Sequence, residues 1–227
     1  MANAVLAIQD LVKTFRAPDG GTTRVIDVPT FELAAGQQVA LAGESGSGKT
    51  TLLNLIAGIV RADSGRIALD GHDLCAMSEA GRDRIRAMTI GYVFQTFNLL
   101  QGYTATQNVA LGMMFGPGAD YDSARDLLTT MGLGDRLYHR PSQLSVGQQQ
   151  RVAVARALAN KPKLVLADEP TGNLDPARAR QAINLIRDMC RQHGAALLCV
   201  SHDQSLLAEF DDVRDLGQIN RAAVASA

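Results

Sequence analysis

The sequence predicts an α/β fold built around a mostly parallel sheet. Residues 163–167 and 195–200 are continuous apolar segments, the pattern of parallel strands that are buried on both faces. Residues 38–42 form a third such segment, which runs into a glycine-rich loop and then into a stretch with helical spacing of apolar residues. Strands that alternate with helices in this way pack into a parallel sheet covered by helices.

An antiparallel β subdomain is expected at the N-terminus. Residues 5–15 and 23–33 have the character of short strands, and a turn with proline and glycine at residues 18–21 separates them. Residues 65–71 look like a hairpin strand, and residues 90–94 look like another buried strand.

Helical character dominates after residue 95. Residues 104–115, 121–132 and 147–160 have helical spacing of their apolar residues, which predicts an inserted α-helical subdomain at residues 96–159. This division gives a single domain, residues 1–227, with its core in residues 1–95 and 160–227.

The composition argues against several classes of protein. A net charge of −1 gives no electrostatic reason to expect a nucleic-acid partner. Apolar segments such as residues 195–200 fall well short of the ~20 residues that span a bilayer. Residues 1–9 lack a basic leader and a cleavage site, so no signal peptide is expected. Cys75, Cys190 and Cys199 show no metal-like spacing and are expected to be reduced thiols of a cytosolic protein.

Two surface features are open to interpretation. Arg82, Arg84 and Arg86 alternate with an aspartate and an isoleucine, so we expect a solvated helix face rather than a basic patch. A run of apolar residues follows residue 95, and it fits either the core of the helical subdomain or an apolar surface that receives a helix from a membrane partner. The members of this run are Phe97, Leu99 and Leu100.

The glycine-rich loop matches the phosphate-binding pattern G-x4-G-K-[ST] and lies between a strand and a helix, as that motif requires. Its glycines let backbone N–H groups turn toward phosphates, and the helix N-terminus adds a favourable dipole. Lys49 is expected to reach the terminal phosphates, and the Thr50 hydroxyl is expected to bind Mg²⁺. The core is therefore predicted to be that of a P-loop NTPase. The predicted nucleotide-binding residues are Gly43, Glu44, Ser45, Gly46, Ser47, Gly48, Lys49, Thr50 and Thr51.

The apolar strand at residues 163–167 ends in two acids, Asp168 and Glu169. An acid at the carboxyl edge of a parallel sheet lies beside the phosphate loop, so Asp168 is predicted to be the Mg²⁺-side carboxylate and Glu169 to face the attacking water. Residues 160–163 lack the aspartate of the N-K-x-D motif that reads guanine. Adenine is expected instead, with Phe15 as a candidate stacking platform, although an aromatic residue on a strand is as often plain core.

Five ordered motifs resemble those of ATP-binding cassette (ABC) ATPases. The Thr-Gly-Asn-Leu-Asp sequence that ends at Asp175 is most similar to the ATPase subunits of lipoprotein-releasing, macrolide-efflux and cell-division ABC systems. The resemblance implies that ATP and Mg²⁺ are the cofactors. Besides the phosphate loop, the motifs are a Q-loop at Gln95, a signature at residues 144–148, a Walker-B and D-loop segment at residues 168–175, and an H-switch at residues 201–203.

The same resemblance implies roles for single residues. Gln95 would support the metal beside Thr50 and Asp168, and His202 would contact the γ-phosphate. Phe15 lies where that family places its adenine-stacking aromatic residue. Asp175, in the D-loop, is assigned to the nucleotide site on the same ground.

The signature reads Leu144-Ser145-Val146-Gly147-Gln148 and lies at a predicted helix start. No arginine finger is evident, and a serine hydroxyl, glycine N–H groups and a helix N-terminus can stabilise a developing anion in its place. The resemblance implies that Ser145, Gly147 and Gln148 act in trans, on the nucleotide of a second cassette stacked head to tail. Val146 departs from the usual L-S-G-G-Q. Activity is expected to survive this change, while the β-branched residue restricts the backbone.

The sequence thus predicts the ATP-hydrolysing subunit of an ABC transporter, driven by ATP-dependent dimerisation, with a second ATPase subunit that is expected to be its own copy. Integral membrane permease subunits would be separate chains and would hold it at the cytoplasmic face of the inner or plasma membrane. An alternative is a mechanical switch on a membrane partner that regulates an extracytoplasmic activity without transport. A soluble ABC protein of translation or DNA repair is disfavoured, because such proteins usually carry two cassettes or a long coiled-coil insertion.

Overall fold

Two sheets organise the part of the chain that the computed structural model describes, residues 4–16, 20–172 and 174–222. The strands are β1 (Ala4–Arg16), β2 (Thr22–Ala34), β3 (Gln38–Ala42), β4 (Ser64–Leu69), β5 (His72–Asp73), β6 (Ile90–Val93), β7 (Leu164–Asp168), β8 (Ala196–Ser201) and β9 (Val213–Asp215). One sheet is antiparallel with the order β2-β1-β4-β5, and the other is parallel with the order β6-β7-β8-β3-β9. The predicted fold class is confirmed.

Helices cover the parallel sheet and fill the segment between β6 and β7. They are α1 (Lys49–Ile56), α2 (Glu79–Thr89), α3 (Ala105–Leu111), α4 (Tyr121–Thr130), α5 (Val146–Leu158), α6 (Pro176–His193), α7 (Gln204–Leu207) and α8 (Leu216–Ile219). A short 3₁₀ turn, Pro141–Gln143, precedes the start of α5.

The central strands β7 and β8 are buried on both faces, as their apolar sequences predict. In β7, Leu164 and Leu166 pack into a cluster with α1 and the antiparallel sheet. Val165 and Ala167 point the other way, into a cluster with α3, α5 and α6. The two-residue period of the strand thus joins both halves of the core through one sheet.

The parallel pairing brings four chain segments to one edge of the sheet. Strand β7 pairs with β6 and β8, and β8 pairs with β3, all in parallel. The chain leaves these strands at their carboxyl ends, which is where open α/β sheets bind ligands. Gln95, Gly43, Glu169 and His202 each follow one of these strands by one or two residues.

Helix α5 contacts both the helical insertion and the core. It packs against α3 and α4 on one side and against β6 and α6 on the other. The contact with β6 requires Gly91, because an added Cβ there would lie 2.2 Å from the carbonyl oxygen of Ala157. The division at residues 96–159 stays a prediction, and α5 is the element through which the two parts meet.

The predicted segments agree with the observed elements to within two residues at either end, with one exception. Helix α3 ends at Leu111 rather than at residue 115, because the chain turns at Gly112 through short-range hydrogen bonds such as Met113 N–H to Ala110 O at 3.0 Å. Of the turn predicted at residues 18–21, residues 18 and 19 lie outside the described part.

The predicted solvated helix face is wrong for two of its arginines. Arg82 is buried and donates to the carbonyl of Met77 at 3.1 Å. Arg86 donates to the carbonyls of Ala57 and Gly58 at 3.3 and 3.4 Å, where α1 ends. The last carbonyls of a helix have no partner within the helix and attract cations. Arg86 therefore fastens α2 to the end of α1.

The apolar run after residue 95 belongs to the core only in part. Leu99 is buried in the core and Phe97 packs against it, whereas the side chain of Leu100 is 44% exposed. The three cysteines are free thiols, two of them buried. Within residues 4–16, 20–172 and 174–222, no helix is both long enough and apolar enough to cross a membrane.

Candidate functional site

The phosphate loop joins β3 to α1 and exposes the first backbone amides of that helix. Gly48 caps α1 with φ 96°, and an added Cβ there would lie 3.1 Å from the carbonyl oxygen of Val25, so a side chain would be strained and crowded. The buried Lys49 ammonium donates to the carbonyls of Gly43 and Glu44 at 2.7 and 2.8 Å. The loop therefore combines the backbone N–H groups of a helix start with one nearby cation, which suits phosphate.

The carboxylate of Asp168 is held from two sides. Its Oδ1 accepts from the Thr50 hydroxyl at 3.3 Å, and its Oδ2 accepts a long hydrogen bond of 3.5 Å from the Tyr92 hydroxyl. Burial raises the pKa of the Asp168 carboxyl, the charge of Glu169 adds to this, and the hydrogen bond from Thr50 acts in the opposite direction. Two oxygens so placed fit Mg²⁺, which takes oxygen ligands and is commonly held by one or two protein groups together with phosphates.

The backbone of Glu169 adopts a conformation that side chains rarely occupy, with φ 44°. Two hydrogen bonds fix it there: its N–H donates to Val200 O at 3.0 Å, and its carbonyl accepts from the Gly172 N–H at 3.1 Å. Gly172 is also where the Gln95 side chain approaches, since an added Cβ would lie 2.9 Å from Gln95 Nε2. The turn after β7 thus lies against the Gln95 side chain at Gly172.

The side chain of Glu169 has three partners. Its Oε2 accepts from the Ser201 hydroxyl at 3.0 Å, and its Oε1 lies 2.7 Å from His202 Nδ1 and 3.4 Å from Lys49 Nζ. Because a carboxylate only accepts hydrogen bonds, the short contact with His202 requires that Nδ1 carries the hydrogen. The carboxyl group is therefore mostly buried and fixed in direction at the edge of the phosphate loop.

A cavity of about 310 Å³ unites most of the predicted site. A neighbouring cavity of about 420 Å³ is lined by Gly43, Glu44 and Ser47, and His202 borders both. The lining residues of the first cavity that the sequence predicted are Ser45, Gly46, Gly48, Lys49, Thr50, Thr51, Gln95, Glu169 and His202.

Phe15 lies on the exposed side of β1, where it pairs with Thr23 across the sheet. Its side chain is 42% exposed, so it does not belong to the core. The ammonium of Lys13 lies 5.4 Å from the centre of the ring. An open aromatic face with a cation beside it is suited to stacking on a base.

The signature residues lie at the start of α5, away from the cavities at the phosphate loop. Ser145 and Gln148 form a reciprocal cap: the Ser145 hydroxyl accepts from Gln148 N–H at 3.3 Å, and Gln148 Oε1 accepts from Ser145 N–H at 2.9 Å. Val146 is the first helical residue and is exposed, so the β-branched side chain is compatible with this helix start. Ser145 and Gly147 line a separate cavity of about 210 Å³, which shares no lining residue with the two at the phosphate loop.

Asp175 has a structural partner. Its carboxylate accepts from the N–H of Arg178 at 3.1 Å and so caps α6. It does not line either cavity at the phosphate loop. Within one chain, therefore, the structure gathers the phosphate loop, Gln95, Asp168, Glu169 and His202, and leaves the signature and Asp175 outside that group.

Sequence reasoning missed two members of the site, Tyr92 and Ser201. Both occur in segments that the sequence singled out, but a tyrosine on a buried strand and a serine at a strand end are ordinary in themselves. Ser201 is fully buried and bonds to Glu169, a pairing that depends on β7 and β8 being neighbours. The available signal was positional, since Tyr92 and Ser201 lie near the carboxyl ends of strands adjacent to β7.

The fold and the site define an ATPase of the ATP-binding cassette type. Residues 26–172 match the ABC transporter family, and the chain belongs to that family. It is similar to the lipoprotein-releasing system ATP-binding protein LolD 2 of Caulobacter vibrioides, with 41% identity over 216 residues that cover 94% of each chain. It is also 44% identical to LolD of Shewanella frigidimarina, over 92% of this chain and 88% of that one. The predicted resemblance is confirmed.

Two further comparisons extend this result. The chain is 39% identical to part of the macrolide export ATP-binding/permease protein MacB of Syntrophobacter fumaroxidans, of which it spans 34%. Among solved structures, a dimeric ATP-binding cassette in a post-hydrolysis state with ADP and Pi superposes with a TM-score of 0.83 at 30% identity, over 96% of this chain and 95% of that one.

Proposed function

We propose that this chain is the Mg²⁺-dependent ATPase subunit of a complex that transports or extracts its substrate through separate membrane subunits. The observation that carries the proposal is the Glu169 carboxylate, which Ser201 and His202 hold beside Lys49 in the cavity of the phosphate loop. The lipoprotein-releasing and macrolide-export names of its relatives support the coupling to a membrane process.

The residues divide the chemistry among them. Thr50, Asp168 and Gln95 would hold Mg²⁺, which, when bound, neutralises charge on the phosphates. Glu169, which lines the cavity, accepts a proton from the attacking water, and Ser201 keeps its carboxylate from turning away. His202, which borders both cavities, stabilises charge on the γ-phosphate and holds Glu169 in place.

A second copy of the chain would complete each site. Gly147 supports this arrangement: among the described residues, no atom lies within 4 Å of the position of an added Cβ. No packing contact with the described residues outside this helix turn therefore requires glycine here, whereas close approach of another molecule to the backbone would. The dimeric state of the similar cassette bound to ADP and Pi supports a second subunit.

A groove of about 780 Å³ between β6, α2 and the helical insertion is the proposed seat of a helix from the membrane subunit. Phe94, Leu111 and Phe115 give it apolar walls, and the Phe115 side chain is 78% exposed. Arg84 lies at its edge, and the buried Oδ1 of Asn160 accepts no hydrogen bond from the described residues. An amphipathic helix with a hydrogen-bond donor and acidic flanks would match these features. Phe97, Leu99 and Leu100 do not line this groove.

The test of the proposed function is Glu169→Gln, with the exposed Glu32→Gln as matched control. The glutamine variant should bind ATP normally, hydrolyse it more slowly by roughly 100-fold because the proton acceptor is lost, and accumulate as an ATP-bound dimer in light scattering. Glu32→Gln should behave as wild type in all three measurements. Near-normal turnover by Glu169→Gln would rule out Glu169 as the catalytic carboxylate.

A further inference from the structure

Tyr92 links the predicted metal site to the groove proposed for the membrane helix. Its hydroxyl donates to Asp168 Oδ2 at 3.5 Å, while its ring lines the groove proposed for the membrane helix. We propose that Tyr92 is a positioning residue that orients the Asp168 carboxylate for the metal from the wall of that groove. The inference rests on the proposed metal-binding role of Asp168.

The two oxygens of Asp168 accept hydrogen bonds from residues of two different elements. Thr50, at the start of α1, bonds to Oδ1, and Tyr92, on the adjacent strand β6, bonds to Oδ2. The terminal torsion of an aspartate is broad, so a carboxylate with only one oxygen bonded can swing. Removal of a polar group that orients a metal-binding carboxylate typically lowers metal affinity or activity by about 10- to 100-fold.

The surroundings of Tyr92 favour the hydrogen bond from its hydroxyl to Asp168. A phenol hydroxyl can donate a hydrogen bond, whereas an ionised aspartate can only accept one. The ring stacks on Phe94 with centroids 4.2 Å apart and an interplanar angle of 18°. Phe94 also lines the groove and directly precedes Gln95. The direction of the hydroxyl therefore depends on an aromatic pair that a docked helix would touch.

Tyr92→Phe removes the hydroxyl and leaves the ring in place. Two quantities are measured: the Mg²⁺ concentration that gives half-maximal ATPase activity, and the ratio of ADP affinities with and without Mg²⁺ by calorimetry. We expect the Mg²⁺ concentration for half-maximal activity to rise, and the ratio of ADP affinities to fall, by about three- to tenfold. This is the weak end of such effects, because the hydrogen bond from Tyr92 to Asp168 is long. ADP affinity without metal should not change. Tyr138→Phe, at a tyrosine with 72% exposure, is the matched control.

A double-mutant cycle with Phe94→Leu tests the stacked pair. If Phe94 acts by aiming the Tyr92 hydroxyl, Phe94→Leu lowers the Mg²⁺-dependent gain in ADP affinity in wild type but not in the Tyr92→Phe background. Equal effects in both backgrounds would overturn the role of the pair, and a wild-type gain in Tyr92→Phe would overturn the proposal for Tyr92. Asp168→Asn distinguishes failure of the proposed metal site from failure of the role of Tyr92. If Asp168→Asn keeps the Mg²⁺-dependent gain in ADP affinity, the proposed metal site is wrong. If Asp168→Asn loses this gain and Tyr92→Phe keeps it at the wild-type value, only the positioning role of Tyr92 is refuted.

Discussion

The Nδ1 atom of His202 lies 2.7 Å from Oε1 of Glu169, at the carboxyl ends of two adjacent parallel strands. The imidazole is largely exposed and the carboxylate is largely buried. The hydrogen bond between them therefore links a buried side chain to one that solvent or a ligand can reach. A group that binds His202 from the outside acts directly on the direction of the Glu169 side chain.

His202→Ala should lower ATPase turnover by roughly 100-fold, because the carboxylate loses one partner and the γ-phosphate loses a stabilising contact. ATP affinity should change much less, since the phosphate loop is untouched. Steady-state kinetics with ATP-binding titrations give both numbers. His193→Ala, at an exposed histidine in the last turn of α6, serves as the control and should match wild type. Turnover of His202→Ala within about threefold of wild type would remove His202 from the mechanism.

Gly147→Ala should separate stability from activity. Alanine fits the open space at this helical position and favours the helix, so the free energy of unfolding should stay equal or rise by up to about 1 kcal/mol. ATPase activity should fall severalfold, because the methyl group obstructs the approach of a second subunit's nucleotide. Denaturant unfolding and ATPase assays measure the two effects. A variant that is more stable and fully active would contradict the role of Gly147 in a dimer site.

Val146→Gly restores the usual glycine of the signature. The helix already starts normally at Val146, and the Ser145–Gln148 cap is formed, so the ATPase rate should stay within about twofold of wild type. Because glycine is a poor helix former, the free energy of unfolding should fall by up to about 1 kcal/mol. A large rise in the ATPase rate would show instead that valine restrains this motif.

Phe15→Ala should weaken ATP binding by about 5- to 100-fold if the exposed ring stacks on adenine. Phe15→Trp should retain the affinity, because it keeps an aromatic face at the same exposed position. Equilibrium titration with ATP and with inorganic triphosphate distinguishes the base contact from the phosphate contacts. Equal losses for both ligands would place the effect of Phe15 elsewhere than at the base.

Gly91→Ala should destabilise the fold by about 3 kcal/mol, at the upper end of overpacking effects. An added Cβ would lie 2.2 Å from the Ala157 carbonyl, so β6 and α5 would have to separate. Gly102→Ala is the matched control, since no described atom lies within 4 Å of its added Cβ. Thermal unfolding of the two variants gives the comparison. Equal stability of the Gly91→Ala and Gly102→Ala variants would show that β6 and α5 can separate at little cost in free energy.

The sequence predicted the strands and helices well because their patterns are local. The buried strands β7 and β8 and the phosphate loop each carry a signal within a few residues. Contacts that depend on strand order were not predictable in this way: the bond from Ser201 to Glu169 and that from Tyr92 to Asp168 each cross between neighbouring strands. The bonds from Arg86 to the end of α1 were missed for a similar reason, because charge alternation along α2 says nothing about the helix end beside it.

The most direct test of the account mixes two inactive variants, Lys49→Ala in the phosphate loop and Ser145→Arg in the signature. If each site is built from two chains, a mixed dimer contains one intact site, made from the phosphate loop of the second variant and the signature of the first. Equal amounts of the two proteins should then recover up to about a quarter of the wild-type ATPase rate, since half of the dimers are mixed and each has one working site. No recovery above the separate variants, with mixed dimers shown to form, would mean that phosphate loop and signature act within one chain.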